Sequence, residues 1–227
     1  MSRVFIFEGP VVTFLSRLAD LFWLNLLFMI CCIPVITVGA AQTALYYVTL
    51  KMAKDEEGYI TKSYFKAFKD NFVQATVIWV IFLVIAAVMF MDLRIANGGS
   101  VSAIGSEAVS NVVIVAVGVL SIVMLMTLTY VFPILARFDN TVINTIKNAF
   151  LISVRHLPYT FLMMLIAAIP VALIWFSPAL LILVLILFSA GAYINSKFFN
   201  RIFVLYMPKD EPDRDPGDPS EDIDGEG

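Results

Sequence analysis

The stretch Val73–Met91, VQATVIWVIFLVIAAVMFM, holds nineteen residues without a single charge. As a helix rising about 1.5 Å per residue it reaches roughly 28 Å, the thickness of a bilayer's hydrocarbon core. A helix that is apolar all round has no face for water, so this run reads as a membrane span. Three further runs have the same character: Val112–Ala136, Tyr159–Phe176 and Pro178–Tyr193. Ser177-Pro178 separates the last two and predicts a tight transmembrane hairpin, because the residue before a proline avoids helical geometry.

The first apolar block, Val11–Leu50, is too long for one span. A split at Cys32-Ile33-Pro34 gives one helix of ordinary length and a shorter second one. Two arrangements follow. If both pieces cross, the N-terminus lies inside and there are six membrane segments; if the second only re-enters, there are five and the N-terminus lies outside. The small residues Val38-Gly39-Ala40-Ala41 would suit signal-peptide cleavage, but the apolar run continues through them to Leu50, which predicts an uncleaved segment.

Composition agrees. Hydrophobic residues make up 60% of the 227, charged residues 15%, and mean hydropathy is +0.90. A soluble fold has too few charges here to cover so much apolar surface. The expected fold is therefore an all-α, polytopic transmembrane bundle over residues 1–207, followed by an acidic tail over residues 208–227. That tail carries nine acidic residues against Lys209 and Arg214. With almost nothing apolar to bury, it is expected to be disordered.

Lysine and arginine set the expected orientation. The loop after Leu50 carries Lys51, Lys54, Lys62, Lys66 and Lys69; the next has Arg94 alone; the next has Arg137, Lys147 and Arg155. This alternation places the five-lysine loop, the 137–158 loop and the C-terminus in the cytoplasm. The basic residues are too thinly spread for a nucleic-acid surface, so none is expected as a partner.

Two cytoplasmic segments have amphipathic spacing. In Lys62–Phe72, Phe65, Phe68 and Phe72 share a stripe beside Lys62, Lys66 and Lys69. In Asp139–Leu157, Ile143, Ile146, Phe150, Val154 and Leu157 oppose Asn140, Asn144, Lys147 and Asn148. Such helices lie at headgroups or dock onto a partner, with Phe65, Phe68, Phe72 and Phe150 as the expected contacts. Each contains Lys-x-x-Phe and leads into a span, which suggests a duplicated unit.

The chemistry is sparse. No nucleotide-binding, zinc-hydrolase or serine-hydrolase motif occurs. His156 is the only histidine, and Cys31 with Cys32 form an adjacent apolar pair, which leaves no metal-ligating set. No enzymatic activity and no cofactor are expected. Asp20, Asn25 and Gln42 are the candidate intramembrane polar residues, because polar groups in lipid need partners or a function. Asp20 has Arg17 one turn away, and Asn25 and Gln42 stand on opposite arms of the first hairpin, placed to hydrogen-bond across it.

The runs Leu21-Phe22-Trp23-Leu24-Asn25-Leu26-Leu27 and Ile33-Pro34-Val35-Ile36-Thr37-Val38-Gly39-Ala40-Ala41, with Phe65-Lys66-Ala67-Phe68-Lys69-Asp70-Asn71-Phe72, resemble the YesL family. These are small multi-pass proteins of the bacterial cell membrane, classed as a domain of unknown function. The resemblance runs from about Val11 to Met207 and implies a setting: family members accompany sugar-uptake ABC transporters and glycoside hydrolases. It supplies no catalytic or binding residues. The expectation is an accessory or assembly subunit beside sugar ABC permease subunits, within the lipid bilayer. The alternative is a small autonomous transporter or channel for a saccharide or related solute, working as a homo-oligomer.

Overall fold

The computed structural model describes residues 10–56, 58–97, 107–176 and 181–206, with the side chains of 10, 11, 97, 107–109, 174–176 and 181–185 excepted. The acidic tail, the Ser177-Pro178 turn and the Trp175 side chain lie outside the described residues. Among those described, all regular structure is helical, in the order α1 Pro10–Cys32, α2 Val38–Met52, α3 Ile60–Asp70, α4 Phe72–Asn97, α5 Glu107–Arg137, α6 Val142–Arg155, α7 Leu157–Phe176 and α8 Leu181–Phe203. Within α1, α4 and α5, the stretches Val12–Cys32, Phe72–Ala96 and Ser110–Arg137 are long and apolar enough to cross a membrane. The pair α6 and α7, bent by 106°, passes the same test taken together.

The break after Cys32 falls where Pro34 predicts it, and a short 3-10 turn at Val35–Thr37 leads into α2. The Thr37 hydroxyl donates back to the Cys31 or Pro34 carbonyl, at 2.6 and 2.8 Å, and helps to satisfy the open end of α1. The arms of this hairpin run antiparallel. Arg17 of α1 pairs with Asp55 just beyond α2, and Trp23 Nε1 donates to Thr61 of α3 at 2.9 Å.

α2 is the centre of the molecule. It packs against α1, α3, α4, α5 and α8, and eleven of its fifteen residues are buried. Its small residues Gly39, Ala40, Ala41 and Ala44 let neighbours approach closely, as membrane helix interfaces require. A Cβ added at Gly39 would stand 2.5 Å from the Ala75 carbonyl oxygen and 2.8 Å from Trp79 Cβ. Trp79 Nε1 also donates to the Val35 carbonyl at 2.8 Å, tying the hairpin tip to α4.

The two amphipathic helices form as expected, but α6 buries a different face from its apolar stripe. Thr145, Ala149, Ile152 and Ser153 pack inward, while Ile143, Phe150, Val154 and Leu157 are exposed. Small residues permit close packing on α5, and bulky ones do not. Thr141 caps the helix by accepting from Asn144 N–H. On α3, Tyr64 and Ala67 are the buried pair.

An apolar helix, an amphipathic helix and a second apolar helix thus follow one another twice, as α2–α3–α4 and α5–α6–α7. One residue breaks each amphipathic helix from the next, Asn71 in the first case and His156 in the second. The Lys-x-x-Phe match does not mark this repetition. Lys69 and Phe72 straddle the first break, whereas Lys147 and Phe150 lie in the middle of α6.

Gly39→Ala should force α2 from α4 and destabilise the protein by about 1–3 kcal/mol, as overpacking does. Gly191→Ala, whose added Cβ meets nothing nearer than 3.6 Å, should be close to neutral. Thermal unfolding of both variants in detergent checks the contrast.

Candidate functional site

A concavity that contains one of the sequence-predicted polar residues lies between α1, the end of α2, the following loop and α3. It measures about 270 Å³ and is lined by Asp20, Trp23, Lys51, Glu56, Tyr59 and Ser63, over a floor of Val48, Met52 and Ile60. α1 contributes Asp20 and Trp23, one turn apart and therefore on one face.

The α2–α3 loop has a defined shape. Asp55 adopts φ 60°, the left-handed region that is usually left to glycine. Its N–H bonds the Met52 carbonyl at 3.2 Å, and the Glu56 N–H bonds the Lys51 carbonyl at 3.1 Å, which ends α2. The Asp55 carboxylate is held by Arg17, which also donates to the Tyr193 hydroxyl of α8 at 3.1 Å. Lys54 pairs loosely with Glu56 at 3.9 Å, and Lys51 Nζ lies 4.9 Å from the centre of the Tyr47 ring.

Asp20 is half-buried and, among the described residues, makes no hydrogen bond or ion pair. The sequence suggests Arg17 as its partner; in the structure Arg17 serves Asp55 and Tyr193. Asn25 is fully buried, and its partner is α8 rather than the opposite arm of the hairpin. Its Oδ1 accepts from Ser189 N–H at 3.2 Å, while Ser189 Oγ donates to the Leu21 carbonyl at 2.6 Å. Gln42 instead lines a smaller cavity of about 70 Å³ with Tyr46 and Asn195. The Asn195 Oδ1 there is buried without a hydrogen-bond partner among the described residues, while its Nδ2 donates to the Met163 carbonyl at 3.4 Å.

Of the aromatic candidates, Phe65, Phe72 and Phe150 are exposed, at 40%, 37% and 41%. Phe68 is half-buried, stacked on Tyr64 and tilted against Phe72. Tyr64, which the stripe of phenylalanines hides in the sequence, is fully buried and donates to the Ala41 carbonyl at 3.4 Å. Burial pushes its phenol well above the ordinary tyrosine range, so it stays neutral.

Other residues do structural work that the sequence analysis passes over. Ser189, Ser196 and Asn200 form a polar edge along α8. Ser196 Oγ donates to Thr49 Oγ1 at 2.9 Å, and Asn200 Nδ2 to the Leu50 carbonyl at 3.2 Å. Their spacing of seven and four, in an otherwise apolar helix, is the available signal. Thr160 Oγ1 lies 3.0 Å from the Tyr130 hydroxyl and 2.8 Å from the Ser153 carbonyl, which joins α5, α6 and α7.

Residues 21–93 match the model of DUF624, a protein family of unknown function. The matched part covers α2, α3, the second half of α1 and most of α4, and so includes the lining of the cavity except Asp20 itself, which lies one residue before it. No curated protein and no solved structure matches the chain.

Asn25→Leu should cost about 1 kcal/mol, the scale of membrane hydrogen bonds, and should loosen α8 from α1. Asp55→Ala should cost more than Asp55→Asn, because asparagine tolerates the left-handed backbone while losing only the charge. Thermal unfolding of the three purified variants tests both statements.

Proposed function

We propose that this protein is a non-enzymatic membrane subunit that docks onto, or assists assembly of, a carbohydrate ABC transporter. The supporting observation is that α3 and α6 are already anchored through other faces, yet leave an apolar edge outward. On α3 that edge is Phe65, continued by Phe72 at the start of α4, beside the exposed Lys62, Lys66 and Lys69; on α6 it is Ile143, Phe150 and Val154, continued by Leu157 at the start of α7, beside exposed Lys147. An anchored helix with a spare apolar edge and flanking cations suits a second protein at the headgroup level. The carbohydrate setting rests on the YesL-like resemblance, with which the DUF624 match is consistent.

In this reading α4, α5, α7 and α8 cross the bacterial cytoplasmic membrane and the α1–α2 hairpin re-enters it, with the lysine-rich side and the C-terminus in the cytoplasm. The α1–α2 hairpin enters and leaves on that same side, which the Arg17–Asp55 contact supports. At fifteen residues, α2 extends about 22 Å, short of a full crossing. Val35→Cys, in a background with Cys31 and Cys32 replaced by serine, should resist a membrane-impermeant maleimide added outside intact cells. Efficient labelling from outside would show that the hairpin crosses.

Docking is tested by affinity purification of a chromosomally tagged copy in mild detergent. Wild type should retain permease subunits, and Phe65→Asp with Phe150→Asp should lose them by tenfold or more while still inserting. Full retention by the double variant contradicts docking through these edges. One observation favours autonomous transport instead: Asp20 lines a cavity without an ion pair of its own. That reading requires Asp20→Asn to abolish saccharide uptake by the purified, reconstituted protein.

A further inference from the structure

The cavity beside Asp20 combines groups that the docking reading leaves unused. Its walls carry two carboxylates, Asp20 and Glu56, one ammonium, Lys51, and two aromatic rings, Trp23 and Tyr59. Glu56 has Lys54 at 3.9 Å, whereas Asp20 makes no ion pair among the described residues. An unpaired, half-buried carboxylate is costly unless a cation or hydrogen-bond donor reaches it. The ring of Tyr59 is 86% exposed and Trp23 is 47% exposed, with its indole N–H held by Thr61. Both rings therefore offer open surface, and aromatic faces attract cations.

The position of the cavity narrows the ligand further. Trp23 and Tyr59 flank the end of α1 and α2 that carries Lys51 and Lys54, where tryptophan and tyrosine mark a membrane–water boundary. Exposed Ile30, two turns on from Trp23, continues that face of α1 away from the cavity. A molecule bound here meets a carboxylate and aromatic rings, a lysine, and an apolar helix surface leading away.

We propose that this cavity binds the zwitterionic headgroup of a phospholipid, with its ammonium toward Asp20 and the Trp23 and Tyr59 rings and its phosphate toward Lys51. The volume of about 270 Å³ is just below the roughly 300–1,000 Å³ of drug-sized ligand sites and accommodates a phosphoethanolamine group. Phosphatidylglycerol lacks the ammonium and would set its phosphate among two carboxylates with one lysine. A neutral saccharide would leave the Asp20 charge uncompensated. Tyr59 and Ile60 also border the outward edge of α3, but Asp20 does not, so the Asp20→Asn readout and the docking readout fail independently.

Native mass spectrometry of the full chain in detergent, with phosphatidylethanolamine and phosphatidylglycerol of matched acyl chains at equal concentration, tests this. Wild type should retain phosphatidylethanolamine at least fivefold over phosphatidylglycerol, and Asp20→Asn should bring that ratio near one. Because aspartate and asparagine are close in shape, the variant should keep its unfolding temperature, which is measured in parallel. O-phosphoethanolamine supplies the second arm. Weak displacement of the lipid by it supports a membrane lipid as the natural occupant, whereas tight binding of it to delipidated protein reassigns the same chemistry to a soluble molecule and overturns the lipid assignment. Equal retention of the two lipids by wild type, an unchanged ratio in Asp20→Asn, or stabilisation by neutral saccharides in place of phosphoethanolamine overturns the proposal.

Discussion

The close approach of α2 to α4 at Gly39 is the constraint on which the remaining packing depends. With no side chain there, the α2 backbone lies against the Ala75 carbonyl, and the buried face of α2 can meet α3, α4, α5 and α8 together. In lipid the hydrophobic effect does not press helices against one another, so small residues and polar bonds must hold them. Both devices are used. Small residues line α2, and Ser189, Ser196 and Asn200 of α8 fasten it to α1 and α2.

The same logic explains the outward surfaces. α3 and α6 bury mostly their smaller residues because those admit close contact with α2 and α5, Tyr64 and Ile152 being the exceptions. The bulky apolar side chains are then left at the edge, beside lysines. Amphipathicity alone would have a helix bury its phenylalanines and isoleucines; packing against a neighbouring helix selects the small face instead. An edge left outward on an anchored helix is what a docking surface needs. The cavity at Asp20 has a separate origin, in the left-handed turn at Asp55 and the ion pair with Arg17, which tie the α2–α3 loop to α1 beside it.

Much of this architecture is legible in the sequence. Uncharged runs of bilayer length give α4 and α5, and Pro34 marks the break that ends α1. α8 outruns the apolar run by ten residues, to Phe203, because Asn195, Ser196 and Asn200 are polar yet turned toward protein rather than water. Hydropathy does not separate a polar residue bonded inside a bundle from one in a loop. The partners of Asn25 and Arg17 were not legible either: proximity in the chain suggests Gln42 and Asp20, whereas the bundle supplies Ser189 and Asp55, 164 and 38 residues away. Likewise, Lys-x-x-Phe recurs without marking structurally equivalent positions, although the order of elements repeats.

The central claim is that the free edges of α3 and α6 meet another membrane protein. Site-specific photocrosslinking in living cells addresses it most directly, with a photoreactive amino acid at Phe150 on the exposed edge and, as a control, at buried Ala149. The account predicts one discrete crosslinked band from position 150, containing a permease subunit, and none from position 149. Crosslinks from position 150 to lipid alone, at full expression of both proteins, would contradict it.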